Sequence, residues 1–203
     1  MSKNTLIRTA SGLLLGLVLA GCSSAPLHYH QLQAGLPALV VPQAGAVILV
    51  EAVSLPAGVD RPQLLLQDSQ GQPQLQEQHY WTASLSRLLT QALAVNLSHQ
   101  LGLSSVYAAP QLSLARPELS VTLDVREFRL QPGAGATLAA AWRITRPGSD
   151  ASLLQGYFSQ HQAVASSEQT ALVAAQQVLL DGVSSQIAEA LAAHPAWLRH
   201  AAG

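Results

Sequence analysis

Hydrophobic and polar positions change period several times along the chain, and each change marks an element. Val47 to Val53 is a β-branched run of strand length and Pro62 to Gln67 is another. Between them Leu55-Pro56-Ala57-Gly58-Val59-Asp60-Arg61-Pro62 carries the Pro and Gly of a connecting loop. A short strand around Gln72 to Gln76 follows the turn Ser69-Gln70-Gly71, so it pairs with its predecessor as a hairpin. From His79 the spacing switches. Trp81, Leu85, Leu88, Leu89, Ala92, Leu93, Leu97 and Leu101 recur at helical spacing, one face of an amphipathic helix that Gly102 ends.

Leu119, Val121, Leu123 and Val125 alternate strictly, and then the parity slips to Phe128 and Leu130. This predicts a long strand with a bulge near Arg126-Glu127. After the turn Pro132-Gly133-Ala134-Gly135, the inward face of the next strand is Leu138, Ala140, Trp142 and Ile144, with Arg143 and Thr145 pointing away. Pro147-Gly148-Ser149-Asp150 turns the chain into Leu153 to Gln162, completing an antiparallel meander. Ser166-Ser167-Glu168 opens a second helix, with Leu172, Ala175, Leu179, Val183, Ile187 and Leu191 at helical spacing up to His194-Pro195. The expected fold is α+β, a mostly antiparallel sheet of about six strands with two amphipathic helices packed on one face.

The N-terminus follows a different logic. Lys3 and Arg8 precede the apolar run Gly12 to Ala20, which is about half the ~20 residues needed to span a bilayer. The run ends in Leu19-Ala20-Gly21-Cys22, which has the form of a lipobox. The thiol of Cys22 can take a diacylglyceryl group, and the small residues before it suit cleavage that frees its amine for a further acyl chain. Two or three long chains, at about 0.8 kcal/mol per buried methylene, hold a protein on a membrane with no effective escape. Ser23 stands where an aspartate would favour retention at the inner membrane, so outer-membrane sorting is expected, with the protein facing the periplasm. The expected organisation is a signal peptide at 1–21, a lipidated N-terminus and tether at 22–43, and a single domain at 44–203. A short first strand at Tyr29 to Leu32 would fall within the tether.

Without residues 1–21 the chain has eight arginines and no lysine against eleven acidic residues, a net charge of about −3. That excludes a nucleic-acid surface. Charged residues make up 10% of the chain, well under the ~25% of an ordinary soluble domain, which fits permanent contact with a partner or with neighbouring subunits. Cys22 is the only cysteine, so stability comes from a core rather than disulfides.

The search for chemistry returns little. No Gly-x-Ser-x-Gly, His-Glu-x-x-His, Cys-x-x-Cys or phosphate-cradling Gly-rich loop occurs. His28 and His30 could share one side of an extended segment, but they read as solvated residues of the tether. His79, His99, His161, His194 and His200 are scattered, each at a helix end or strand edge. Asp124 and Glu127 straddle the bulge and read as a solvated edge rather than an acid/base pair. Trp81 and Trp142 belong to apolar faces. Trp197 lies beyond the second helix, where it must either fold back or meet a partner. No catalytic residue, metal ligand or cofactor is expected beyond the lipid on Cys22.

Four passages resemble the PqiC-type family of ABC-transport auxiliary lipoproteins, the lipoprotein members of PqiABC transport systems. They are the lipobox at Cys22; the passage from Val47 to Gln63 with its Leu55-Pro56-Ala57-Gly58-Val59-Asp60-Arg61-Pro62-Gln63; Tyr80-Trp81-Thr82-Ala83-Ser84-Leu85 running to Asn96-Leu97; and Val121 to Trp142 with Phe128 and Leu138-Ala139-Ala140-Ala141-Trp142. His28-Tyr29-His30-Gln31-Leu32 only partly matches the tyrosine pair usual after the lipid site. The resemblance implies a non-enzymatic outer-membrane lipoprotein that works with a periplasm-spanning MCE-domain protein in lipid trafficking and envelope integrity, with a homo-oligomeric ring as a candidate assembly. Leu55, Arg61 and Trp197 are the candidate partner contacts. Two other readings remain. One is an assembly or regulatory factor for an outer-membrane barrel or a cell-wall synthase. The other is a lipid-modifying hydrolase built from a serine and His161, which predicts a cleft holding a Ser–His hydrogen bond.

Overall fold

The computed structural model describes residues 25–111, 116–149 and 151–199; Cys22 and Ser23 lie outside them. These residues form eight strands and two helices: β1 (His28–His30), β2 (Ile48–Val50), β3 (Gln63–Gln67), β4 (Pro73–Trp81), α1 (Leu85–Leu101), β5 (Val106–Ala108), β6 (Leu119–Gln131), β7 (Gly135–Thr145), β8 (Ser152–Ala163) and α2 (Gln169–Ala192). The α+β class is as expected. The strands, however, divide between a five-stranded sheet of order β5-β2-β6-β7-β8 and a three-stranded sheet of order β1-β4-β3. Both sheets are mixed. The meander β6-β7-β8 and the hairpin β3-β4 are antiparallel, whereas β2 lies parallel to β5 and β6, and β1 parallel to β4.

The slip in alternation is a true bulge, with the β6–β7 register shifting between Val125 and Glu127. Upstream of it Val121, Leu123 and Val125 face the core, and downstream Leu130 does. Across β7, Ala136, Leu138, Ala140, Trp142 and Ile144 face the same way and meet α2, while α1 covers β2 and β5 beside it. Leu85, Leu89, Leu93 and Leu97 of α1, with Leu172, Leu180, Val183, Ile187 and Leu191 of α2, complete one continuous core. Trp81 and Trp142 both join that core, at separate places: Trp81 stands edge-on to Phe128 at 6.3 Å between ring centroids, and the Trp142 indole donates to Gln186 Oε1 at 3.2 Å.

The first helix begins later than its spacing suggests. His79 to Trp81 belong to β4, held in register with β1, because Trp81 sits four residues before Leu85 and fits either period. The helix starts at Leu85 after the N-cap Ser84 and ends at Gly102, whose φ of 64° is the left-handed cap expected there. The loop before it supplies a second cap: the Asp60 carboxylate accepts from Leu85 N at 2.8 Å and Ser86 N at 3.4 Å, where a negative group satisfies orphan N–H groups and the helix dipole together. Helix α2 stops short of His194-Pro195, which instead form a turn carrying Trp197 N to His194 O at 2.9 Å.

The stretch expected as a tether is, from His28 onward, bonded to the domain. After β1 pairs with β4, Gln33 N and the Gln33 carbonyl bond the Gln177 amide, Gly35 N donates to Asp181, Leu36 N donates to Asn96 Oδ1, Leu39 N bonds His99 O, Gln43 N bonds Gly102 O, and Ala46 N bonds Leu198 O. The segment is therefore a strap that runs in the same direction as α1 and α2 and ends beside the turn that follows α2. Sequence could not show this, because the strap is irregular and its partners are side chains distant along the chain.

Candidate functional site

Three places carry the chemistry of the molecule. The first lies where the strap begins. Parallel pairing sets His28 opposite His79 and His30 opposite Trp81, so three imidazoles gather on one face of the small sheet. His30 Nε2 and His79 Nδ1 are 2.9 Å apart, within hydrogen-bond distance, and the His79 ring stacks on His28 at 4.8 Å and on His30 at 5.2 Å. His30 is only 7% exposed, which corrects the reading of His28 and His30 as two solvated residues. Stacked rings present their nitrogens side by side rather than toward a common point. Among the described residues no group of three His, Cys, Asp or Glu side chains is placed to hold a metal ion.

Burial lowers the His30 pKa below its ordinary 6.5, and the neighbouring His79 and His28 add to the shift. His79 is lowered by burial and by His28, with Glu168 opposing. A histidine with a depressed folded-state pKa binds fewer protons folded than unfolded. Its contribution is therefore full above pH 6.5 and is lost as pH falls from 6.5 through the folded-state value. Urea midpoints are expected to hold from pH 8 to 7 and to fall below pH 6.5. The variant carrying His30→Gln and His79→Gln should show a flatter profile, and β1 amides should gain hydrogen exchange before those of β7.

The second place is the outer face of the meander, where Thr122, Asp124, Arg126, Ala141, Arg143 and Tyr157 line an open cleft of about 630 Å³. Two ion pairs lie on this face: Arg126 with Asp124 at 2.6 Å and, beside the cleft, Arg129 with Glu127 at 2.8 Å. On the same face His161 Nδ1 lies 3.1 Å from the Thr137 hydroxyl. That is a cross-strand contact with a threonine on an open sheet, not the Ser–His pair in a cleft that a hydrolase reading requires.

The third place is the opposite end of the strap. Trp197 is half-buried against the core, with its indole stacked on His194 at 4.1 Å and 9° between planes. It thus folds back, and it also forms one wall of a cleft of about 370 Å³ lined by Arg116, Glu118, Arg146, Pro147 and Arg199. The other candidate contacts sit elsewhere: Leu55 packs partly buried on the core, and Arg61 is exposed with Nε donating to Gly58 O at 2.7 Å. The structure does not bring Leu55 or Arg61 together with Trp197 at that cleft. Arg116, Arg146 and Arg199 were missed because three chain segments far apart in sequence supply them.

The described residues thus form a small α+β domain whose helix pair carries a bonded strap, and the strap ends beside an arginine-lined cleft. The sequence pattern of the ABC-type transport auxiliary lipoprotein component family matches residues 30–188, and the chain belongs to that family, which is not a family of known enzymes. Two crystal structures share the fold. One, of an uncharacterized protein, is 20% identical, covers 82% of this chain and 99% of its own, and superposes with a TM-score of 0.66. The other, XCC0632 from Xanthomonas campestris, matched to the family model DUF330, is 17% identical over 81% of this chain and 93% of its own, with a TM-score of 0.64. No curated protein matches the chain.

Proposed function

We propose that the protein is the outer-membrane lipoprotein subunit of an MCE-type, PqiABC-like intermembrane lipid transport system. Diacylglyceryl and N-acyl chains on Cys22 anchor it, Ser23 permits outer-membrane sorting, and the domain docks on a periplasm-spanning MCE partner to align its exit for hydrophobic cargo, singly or as a homo-oligomeric ring. Family membership supports an auxiliary role beside a transporter. The observation that carries the reading further is the strap. Only five residues lie between Cys22 and His28, a reach of at most about 20 Å, and from His28 the chain is bonded to the domain. A lipid on Cys22 would therefore hold the domain close to its membrane by the end where α1 and α2 begin, leaving the other end for a partner. No helix among the described residues is long and apolar enough to cross a membrane, so Cys22 carries the attachment in this reading.

The test is crosslinking in intact envelopes followed by purification of the lipidated protein, with Cys22→Ala as the unanchored control. The expected result is recovery of an MCE-domain protein with the wild type and its loss with Cys22→Ala, which should also leave the membrane fraction. Recovery of only an outer-membrane barrel or a cell-wall synthase would overturn the transport reading in favour of an assembly or regulatory role.

A further inference from the structure

We infer that the cleft beside Trp197 is a docking site for a short acidic peptide segment of the partner; the inference rests on the transport reading only in naming whose segment it is. The cleft joins three remote parts of the chain: Arg116 just before β6, Arg146 just after β7, and Arg199 beyond α2. All three arginines are exposed, and none of them forms an ion pair among the described residues, whereas Arg126 and Arg129 each have a carboxylate within 2.8 Å. Gathering unpaired guanidinium groups at one site costs mutual repulsion that the fold does not require, and it stands out in a chain that carries about −3 without its first 21 residues. An anionic occupant removes that repulsion, and guanidinium forks match carboxylates in two-point hydrogen bonds.

The one carboxylate in the wall, Glu118, is used by the fold, accepting from Val47 N at 3.4 Å. Trp197 is held in place by the His194 stack and the core behind it, so the cleft has a rigid flat wall beside its charges, suited to the backbone and side chains of an extended peptide. Its position argues for a peptide over lipid head groups. The strap starts beside Thr170 near the beginning of α2 and ends beside Leu198. The 24 residues of α2 place those ends about 36 Å apart. With the anchor at the first end, the arginines face away from the anchoring membrane.

The test uses the full-length lipidated protein in a zwitterionic detergent and follows tryptophan emission, since Trp81 and Trp142 are each 6% exposed and Trp197 is the accessible reporter. The probe is an acetylated tetraglutamate peptide, compared with tetralysine, inorganic phosphate and phosphatidylglycerol vesicles. Saturable binding of tetraglutamate alone is expected. It should weaken at least tenfold when Arg116→Gln, Arg146→Gln and Arg199→Gln are combined, and similarly on raising salt from 0.1 to 0.5 M, with the variant's urea midpoint unchanged. Absence of binding, or equal binding by the triple variant, would overturn the inference. Tighter binding of phosphate or of the vesicles would overturn it in favour of a phosphate or lipid-head-group site. If the cleft binds nothing while the envelope crosslink still recovers an MCE-domain protein, the transport reading survives and only the cleft assignment falls.

Discussion

Asn96→Asp should lower the unfolding free energy by about 3–5 kcal/mol, the range for a buried charge left without its partner, although the side chain keeps its size. Asn96 is fully buried in α1 and uses both ends of its amide. Oδ1 accepts from Leu36 N of the strap at 3.1 Å, while Nδ2 donates to Asp181 Oδ1 at 2.9 Å and to Ser184 Oγ at 3.1 Å on α2. It is the point where strap, first helix and second helix meet. In the aspartate variant a second carboxylate faces Asp181 where an N–H donor stood, so the loss is electrostatic rather than a cavity. Urea denaturation at pH 7.5 measures it; Leu36 N keeps an oxygen acceptor, so the loss of hydrogen-exchange protection is expected in α2 around Asp181 and Ser184. A loss under 1 kcal/mol would mean that α1 and α2 are not joined through the Asn96 amide as the distances indicate. Asn96→Ala separates the two contributions, because it removes the hydrogen bonds without adding charge and should cost less.

Gly156→Ala is expected to cost about 3 kcal/mol, at the upper end of ordinary overpacking. A Cβ at this β8 position would stand 2.4 Å from Cζ2 and 2.5 Å from Cε2 of Trp142, far inside contact distance. The indole cannot easily retreat. Its nitrogen is bonded to Gln186 of α2, it is 6% exposed, and it stands directly across from Gly156 in the β7–β8 register. The readout is the thermal midpoint together with near-ultraviolet circular dichroism, which reports the fixed indole. Adding Trp142→Phe should recover part of the loss, so the two changes should couple strongly in a double-mutant cycle. If Gly156→Ala leaves both the midpoint and the indole signal unchanged, the close approach of strand to ring is wrong.

The elements legible in the sequence are those whose burial repeats along one segment. The parity slip at Arg126-Glu127, the inward face of β7 and the glycine that ends α1 all follow from local steric rules and one-sided burial, so adjacent residues carry the signal. Short or ambiguous segments did not show it. Strand β5 is three residues long. The pairing of β2 with both β5 and β6 joins residues remote in the chain. His79 to Trp81 fitted a helical spacing until the β1 partner settled them as strand. The candidate sites divide in the same way: the His28-x-His30 spacing and the isolation of Trp197 were visible, but His79 and the three arginines that complete their surroundings were not.

What the sequence by itself determined is the α+β class, the order of its main elements, the lipobox pattern at Cys22 and the likeness to auxiliary lipoproteins, because each is written in contiguous residues or their periodicity. Only the tertiary structure decided that the supposed tether is a strap bonded along both helices, that three histidines share one face at its beginning, and that three arginines with no ion pair among the described residues gather around Trp197 at its end. Those arrangements arise from hydrogen bonds, burial and charge between residues far apart in the chain, and long-range proximity of that kind leaves no period in a sequence.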